Sequence, residues 1–114
     1  MALSIATREL DGVTILDLSG RITLGEGSVQ LRDAVRELIS KGVKNILIGL
    51  GEVNYIDSSG LGELVSAYTT AKNQQANVKL LSLTKKVKDV LQLTKLYTVF
   101  DIFDDEASAI ASYK

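Results

Sequence analysis

The chain has 114 residues, 46% hydrophobic and 24% charged, which is the size and composition of one globular domain spanning residues 1–114. Thirteen basic residues against fourteen acidic leave a net charge of −1, which excludes the broad basic field of a dedicated nucleic-acid or anionic-membrane binder. The chain contains no cysteine and no histidine, so it has no disulfide framework, no thiol nucleophile, no Cys-ligated zinc and no Ser-His-Asp triad. Carboxylate or lysine chemistry survives, but the commonest general base, thiol nucleophile and metal ligands are missing, so an enzyme is much less expected, and no residue is singled out as catalytic, metal-binding or cofactor-binding. Arg8, Glu9 and Asp11 interrupt the N-terminus before a signal-peptide core could form, and no long apolar run follows, so the expected location is the cytoplasm with no membrane partner.

Two strand-like runs, Leu3–Leu10 and Val13–Ser19, flank Asp11-Gly12, a dipeptide suited to the type I′ turn of an antiparallel hairpin. Leu31, Ala34, Val35, Leu38 and Ile39 then recur at helical spacing, with Gly42 placed for the C-terminal cap. Asn45–Leu50 reads as a buried strand. Leu61, Leu64, Val65 and Tyr68 predict a helix from about Ser59 to Lys72. Val78–Leu83 reads as a strand, and Val87, Val90 and Leu91 mark a short helix capped by Thr84. Val99–Phe103 is expected as a last strand and Asp105–Ser112 as a final helix. This order predicts an α/β fold with a mixed five-stranded sheet: the N-terminal antiparallel hairpin, then right-handed parallel crossovers. Thr7, Asp17, Ser82 and Asp101 interrupt four of the five strands, which places the helices mainly on one face.

Two loops stand out: a long, glycine-rich Gly20–Gly27 containing an apolar Leu24, and Tyr55–Gly62, which leads from the strand region into the second helix. Binding residues in parallel α/β sheets gather at the carboxyl ends of strands, where the second loop falls. Asp57-Ser58-Ser59-Gly60 is a hydroxyl-rich helix start. It can be an N-cap and nothing more, or a site that welcomes an anion, bound or built covalently as phosphoserine. Two adjacent hydroxyls exceed what one cap needs. Nucleotide cradles fit badly: there is no Gly-Lys-Ser/Thr ending, and Gly25-x-Gly27, Gly49-x-Gly51 and Gly60-x-Gly62 are incomplete fingerprints. Lys79, Lys85, Lys86, Lys88 and Lys95, and the acidic run Asp101, Asp104, Asp105 and Glu106, read as solvated surface, since no aromatic interleaving suits them to nucleic acid.

At Tyr55-Ile-Asp-Ser-Ser-Gly-Leu-Gly62 the chain resembles the STAS domain, specifically the free-standing bacterial anti-sigma factor antagonists. The likeness extends through Asp11-Gly12, the Leu-Ser-Gly ending at Gly20, Ile46–Leu50, Val78–Leu83 and Leu91–Leu96. It implies a single STAS domain, phosphorylated at Ser58 by a partner serine kinase that is itself the anti-sigma factor. The unmodified form would bind the kinase and free the sigma factor. Phosphorylation would release it until a PP2C-type phosphatase restores it. The expected partner surface is Leu24, Gly25, Glu26, Asp57, Ser59, Gly60 and Gly62 around Ser58. Two departures from the family pattern stand out. Arg21, Ile22 and Thr23 occupy a segment where many members carry an acidic residue, and the central strand ends Ile48-Gly49-Leu50-Gly51. A second reading, a STAS regulatory subunit of a transporter ATPase or another signalling complex, is separated from the first by kinase-dependent phosphate on Ser58.

Overall fold

The computed structural model describes residues 3–114. Their order is β1 (Ser4–Leu10), β2 (Val13–Ile22), α1 (Glu26–Ser40), β3 (Asn45–Ile56), α2 (Ser58–Asn73), β4 (Asn77–Leu83), α3 (Lys85–Leu93), β5 (Ile102–Phe103) and α4 (Glu106–Ala111). The five strands lie in chain order in one sheet, β1 antiparallel to β2 and the rest parallel. At the hairpin Leu10 faces Val13, and the two turn residues Asp11 and Gly12 both have positive φ, 53° and 80°, the geometry a type I′ turn requires.

Side-chain alternation sorts the sheet into two faces. Leu16 and Leu18 of β2, Ile46, Ile48 and Leu50 of β3, and Val78 and Leu80 of β4 join one cluster with Leu31, Val35 and Leu38 of α1, Leu61 and Leu64 of α2, and Val87 and Leu91 of α3. Val13, Ile15, Leu47 and Leu81 point the other way, against Ala109 and Ile110 of α4. Three helices thus share one face, and one short helix covers part of the other. Asp17 and Ser82 fall on this second face beyond α4, where they border an open groove of about 270 Å³ with Gly49 and Gly51. Asp17 is held there by Arg8 at 2.7 Å, and Arg8 also reaches Glu106 of α4. Of the four polar interruptions, Asp17 and Ser82 therefore mark the uncovered part of the sheet, whereas Thr7 pairs with Leu16 at the sheet edge and Asp101 lies outside β5.

Three boundaries differ from the sequence reading. The strand expected to stop at Leu50 continues to Ile56. Beyond Leu50 only Val53 and Ile56 are buried, a spacing of three rather than two, because the ladder shifts register between Asp17 and Ser19 and between Gly20 and Arg21. The first loop is short, not long: Gly20, Arg21 and Ile22 belong to β2 and α1 begins at Glu26, leaving Thr23–Gly25 as the connection. The last strand keeps only Ile102 and Phe103. Phe100 turns into the core instead, edge-on to Tyr68 with ring centres 5.5 Å apart, while the Asp101 carbonyl still accepts from the Leu80 N–H. Helix α1 ends as expected: Gly42 donates to the Ile39 carbonyl and Val43 to that of Leu38, the paired bonds of a Schellman motif.

Candidate functional site

β2 and β3 run parallel to their ends, where Arg21 pairs with Tyr55 and Ile22 with Ile56. Both chains then turn towards helix starts, so the Thr23–Gly25 connection and the Asp57–Ser58 junction lie side by side. Asp57 fastens them. One of its carboxylate oxygens accepts from the Gly60 N–H at 2.9 Å, capping α2, and the other accepts from the Leu24 N–H at 2.9 Å across the gap. Its own N–H donates to the Ile22 carbonyl at 3.2 Å. These amide donors, Gly60 first and Leu24 next, hold the Asp57 carboxyl below the usual carboxylate range.

Gly60 completes the join. It is buried, and a Cβ there would lie 2.2 Å from the Ile22 carbonyl oxygen. Any side chain would push α2 off the end of β2. Gly62, two residues on, is exposed and has nothing within 4 Å of a Cβ position. The two glycines of the motif therefore have different physical roles: close approach at Gly60, open surface at Gly62.

The cap belongs to Asp57. Ser58 is the first residue of α2 and is exposed; Ser59 is half-buried. Among the described residues no hydrogen bond engages either serine hydroxyl, while the Asp57 side chain serves the helix end by itself. The hydroxyl of Ser58 is thus presented to solvent at a helix N-terminus whose N–H groups and dipole favour negative charge.

Around it, Leu24 is 78% exposed, so it has no core role. Gly25 precedes α1 with φ of 93°, and Glu26 is exposed in the first turn of that helix. The connection is stiffened from below by Ser28, whose hydroxyl and N–H both donate to the Thr23 carbonyl, at 2.8 and 3.0 Å. The structure thus brings Leu24, Gly25, Glu26, Asp57, Ser58, Ser59 and Gly62 to one end of the molecule, with Gly60 shaping that surface from beneath.

Three neighbours escaped the sequence reading as site residues. The Arg21 guanidinium lies 5.4 Å from the centre of the Tyr55 ring, and the Lys86 ammonium lies 5.8 Å from the same ring. Arg21 was legible as a departure from the family pattern, and Lys86 was grouped with solvated surface. Their meeting on Tyr55 depends on the extension of β3 to Ile56, which the sequence did not announce. Among the described residues no group of acidic side chains is placed to hold a metal ion, and no helix is long and apolar enough to cross a membrane.

A mixed α/β sheet with a capped serine-bearing helix entry at the strand ends defines the class. The family model for the STAS domain matches residues 4–109, and the chain belongs to that family. It is 26% identical over 102 residues to the anti-sigma-B factor antagonist of Bacillus subtilis, covering 90% of this chain and 92% of that one. The crystal structure of a candidate anti-sigma factor antagonist from Thermotoga maritima superposes with a TM-score of 0.87 at 28% identity, over 95% of this chain and 92% of the other. The Bacillus cell fate determinant SpoIIAA in its phosphorylated form gives a TM-score of 0.75 at 18% identity, over 97% and 100% of the two chains, a likeness of fold.

Proposed function

We propose that this protein is an anti-sigma factor antagonist working as a phosphorylation-controlled partner switch in the cytoplasm, a substrate of enzymes and not itself an enzyme. Unmodified, it binds an anti-sigma serine kinase and so frees the sigma factor; with phosphate on Ser58 it lets go, and a PP2C-type phosphatase resets it. The observation that carries this reading is the division of labour at the start of α2. Asp57 provides the cap, which leaves the exposed Ser58 hydroxyl without a structural duty. The B. subtilis relative, named for antagonism of an anti-sigma factor, supports the same reading.

Phosphate on Ser58 adds roughly −1.5 to −2 charges to a surface shaped for a hydroxyl. Enclosing such an unpaired dianion in an interface should cost on the order of 3 kcal/mol, about a hundredfold in affinity. The test is incubation with the cognate kinase and ATP, followed by mass-spectrometric mapping. Phosphate chiefly on Ser58, with Ser58→Ala binding the kinase constitutively, is the expected result. Phosphate chiefly on Ser59 or Thr23 overturns the assignment. Leu24→Ser is expected to melt at the wild-type temperature yet bind the kinase more weakly.

A further inference from the structure

Around Tyr55 the surface carries an unspent pair of cations. Arg21, at the end of β2, and Lys86, in the first turn of α3, both lie within 6 Å of the Tyr55 ring centre, and Tyr55 is itself 37% exposed. Tyr55 precedes Ser58 by three residues across the β3–α2 junction. Among the described residues neither cation forms an ion pair, while the surrounding carboxylates are engaged elsewhere: Asp57 by the Gly60 and Leu24 amides, Glu63 by Arg32 at 3.8 Å, and Asp89 by Lys85 at 2.9 Å. Glu26, at the start of α1, and Glu52, three residues before Tyr55 on β3, are exposed acids without an ion-pair partner among the described residues.

The placement works against local stability. Helix α3 opens Lys85-Lys86-Val87-Lys88 with no acidic residue in its first turn, so positive charge sits at the positive end of a helix dipole. Two like charges also share one ring, a contact that a single cation would satisfy. Arrangements that oppose their own local electrostatics are expected at functional surfaces.

We propose that Arg21, Tyr55 and Lys86 form a docking patch for acidic side chains of the anti-sigma kinase, so that the partner's face opposite this end of the sheet is negatively charged. This rests on the partner-switch reading given above and adds to it the chemistry of the partner. Aspartate or glutamate carboxylates can take paired hydrogen bonds from the Arg21 guanidinium and charge attraction from Lys86, while the ring gives a rigid apolar floor. Charge complementarity of this kind raises the encounter rate and fixes the register of docking. It also sets the polarity of the switch. A phosphate arriving on Ser58 would stand next to the partner's carboxylates and repel them, a second cause of release besides desolvation.

Two measurements test it. In an amide NMR titration with a decaglutamate peptide at low salt, the largest saturable shifts are expected at Arg21, Tyr55 and Lys86, and they should vanish in Arg21→Glu/Lys86→Glu. Shifts led instead by Lys41 and Lys44, or no shifts, overturn the proposal. In kinase titrations, Arg21→Glu and Lys86→Glu should each weaken binding about tenfold or more and flatten its salt dependence, with Arg21→Lys recovering only part of the loss because it keeps the charge without the paired hydrogen bonds. Wild-type affinity in both reversals overturns the patch, and if Ser58 is still phosphorylated the partner-switch reading stands. A wild type that neither binds the kinase nor takes phosphate ends that reading, and with it the kinase as the patch's occupant.

Discussion

Asp57 uses one carboxylate to do two jobs, capping α2 through Gly60 and tying down the neighbouring connection through Leu24. A cap is worth about 1 kcal/mol and a further hydrogen bond to a charged group adds a similar amount, so Asp57→Ala should lose about 2 kcal/mol. The pH dependence has a definite sign. The folded-state pKa lies below the ordinary value of 3.8, so the stabilisation is fully present above about pH 5, declines below it and disappears as pH falls through the lower folded value. Urea unfolding of wild type and Asp57→Asn between pH 7 and pH 2 should show a gap that closes only at the acid end. A gap independent of pH would mean the carboxylate charge is not responsible.

The glycines on either side of Leu61 give an equally sharp contrast. Gly60→Ala must displace either α2 or β2, since the added carbon would sit 2.2 Å from a backbone oxygen, and overpacking of this kind costs about 1–3 kcal/mol or more. Gly62→Ala meets nothing and gains helix propensity, so it should stabilise by about 0.5–1 kcal/mol. Thermal melting of the two variants should therefore move in opposite directions. The motif shows both glycines in the same light; only the distance to Ile22 separates them.

At the scale of elements, α4 is the sole helical cover on the second face among the described residues, and its hold is mixed. Ala109 and Ile110 fill the space over Ile15 and Leu47, the Tyr113 hydroxyl donates to the Ile46 carbonyl at 2.5 Å, and Lys79 lies 4.5 Å from the Tyr113 ring centre. Burial raises the Tyr113 phenol above its usual range, so it remains a donor throughout the neutral range. Ile110→Ala should cost about 2–4 kcal/mol by the usual measure of a large-to-small core change, whereas Arg8→Ala, which removes exposed ion pairs, should cost about 1 kcal/mol or less. Chemical denaturation distinguishes them, and equal losses would show that charge holds α4 as strongly as packing does.

The elements also show where a sequence stops being readable. The helices and the cores of β2, β3 and β4 were legible because their apolar residues recur at the period of the structure they form. The far half of β3 was not, because shifts in the ladder replace alternation by a spacing of three at Val53 and Ile56. The strand expected at Val99–Phe103 was overread, since Phe100 is apolar for the sake of Tyr68 and not for a sheet face. The motif Asp57–Gly62 located the site. Its wiring through Leu24, and the meeting of Arg21 and Lys86 on Tyr55, are long-range facts that no local pattern carries.

For the whole molecule, phosphorylation of Ser58 should act at the surface and leave the fold in place. The helix dipole favours the added charge by about 0.3–1 kcal/mol, and Asp57 opposes it by a similar amount, screened by water. The melting temperature should move by only a few degrees, on the order of 1 kcal/mol in stability. Amide shifts should stay within the β2–α1 connection, the start of α2 and the start of α3. Shifts spread across the sheet, or a melted α2, would make the switch a conformational one.

The brevity of β5 has a consequence of another kind. An exposed sheet margin is a template for pairing with a second copy and for fibre growth. On one margin only Ile102 and Phe103 offer strand backbone, too little to recruit a neighbour's strand, and Lys79 of β4 guards it with an ammonium bound to Ser112. On the opposite margin β1 is longer but carries Arg8 and Glu9 in its second half, charges that a stacked copy would have to strip of water. Both margins thus disfavour stacking of one copy on another, and they do so without proline, which this chain lacks altogether.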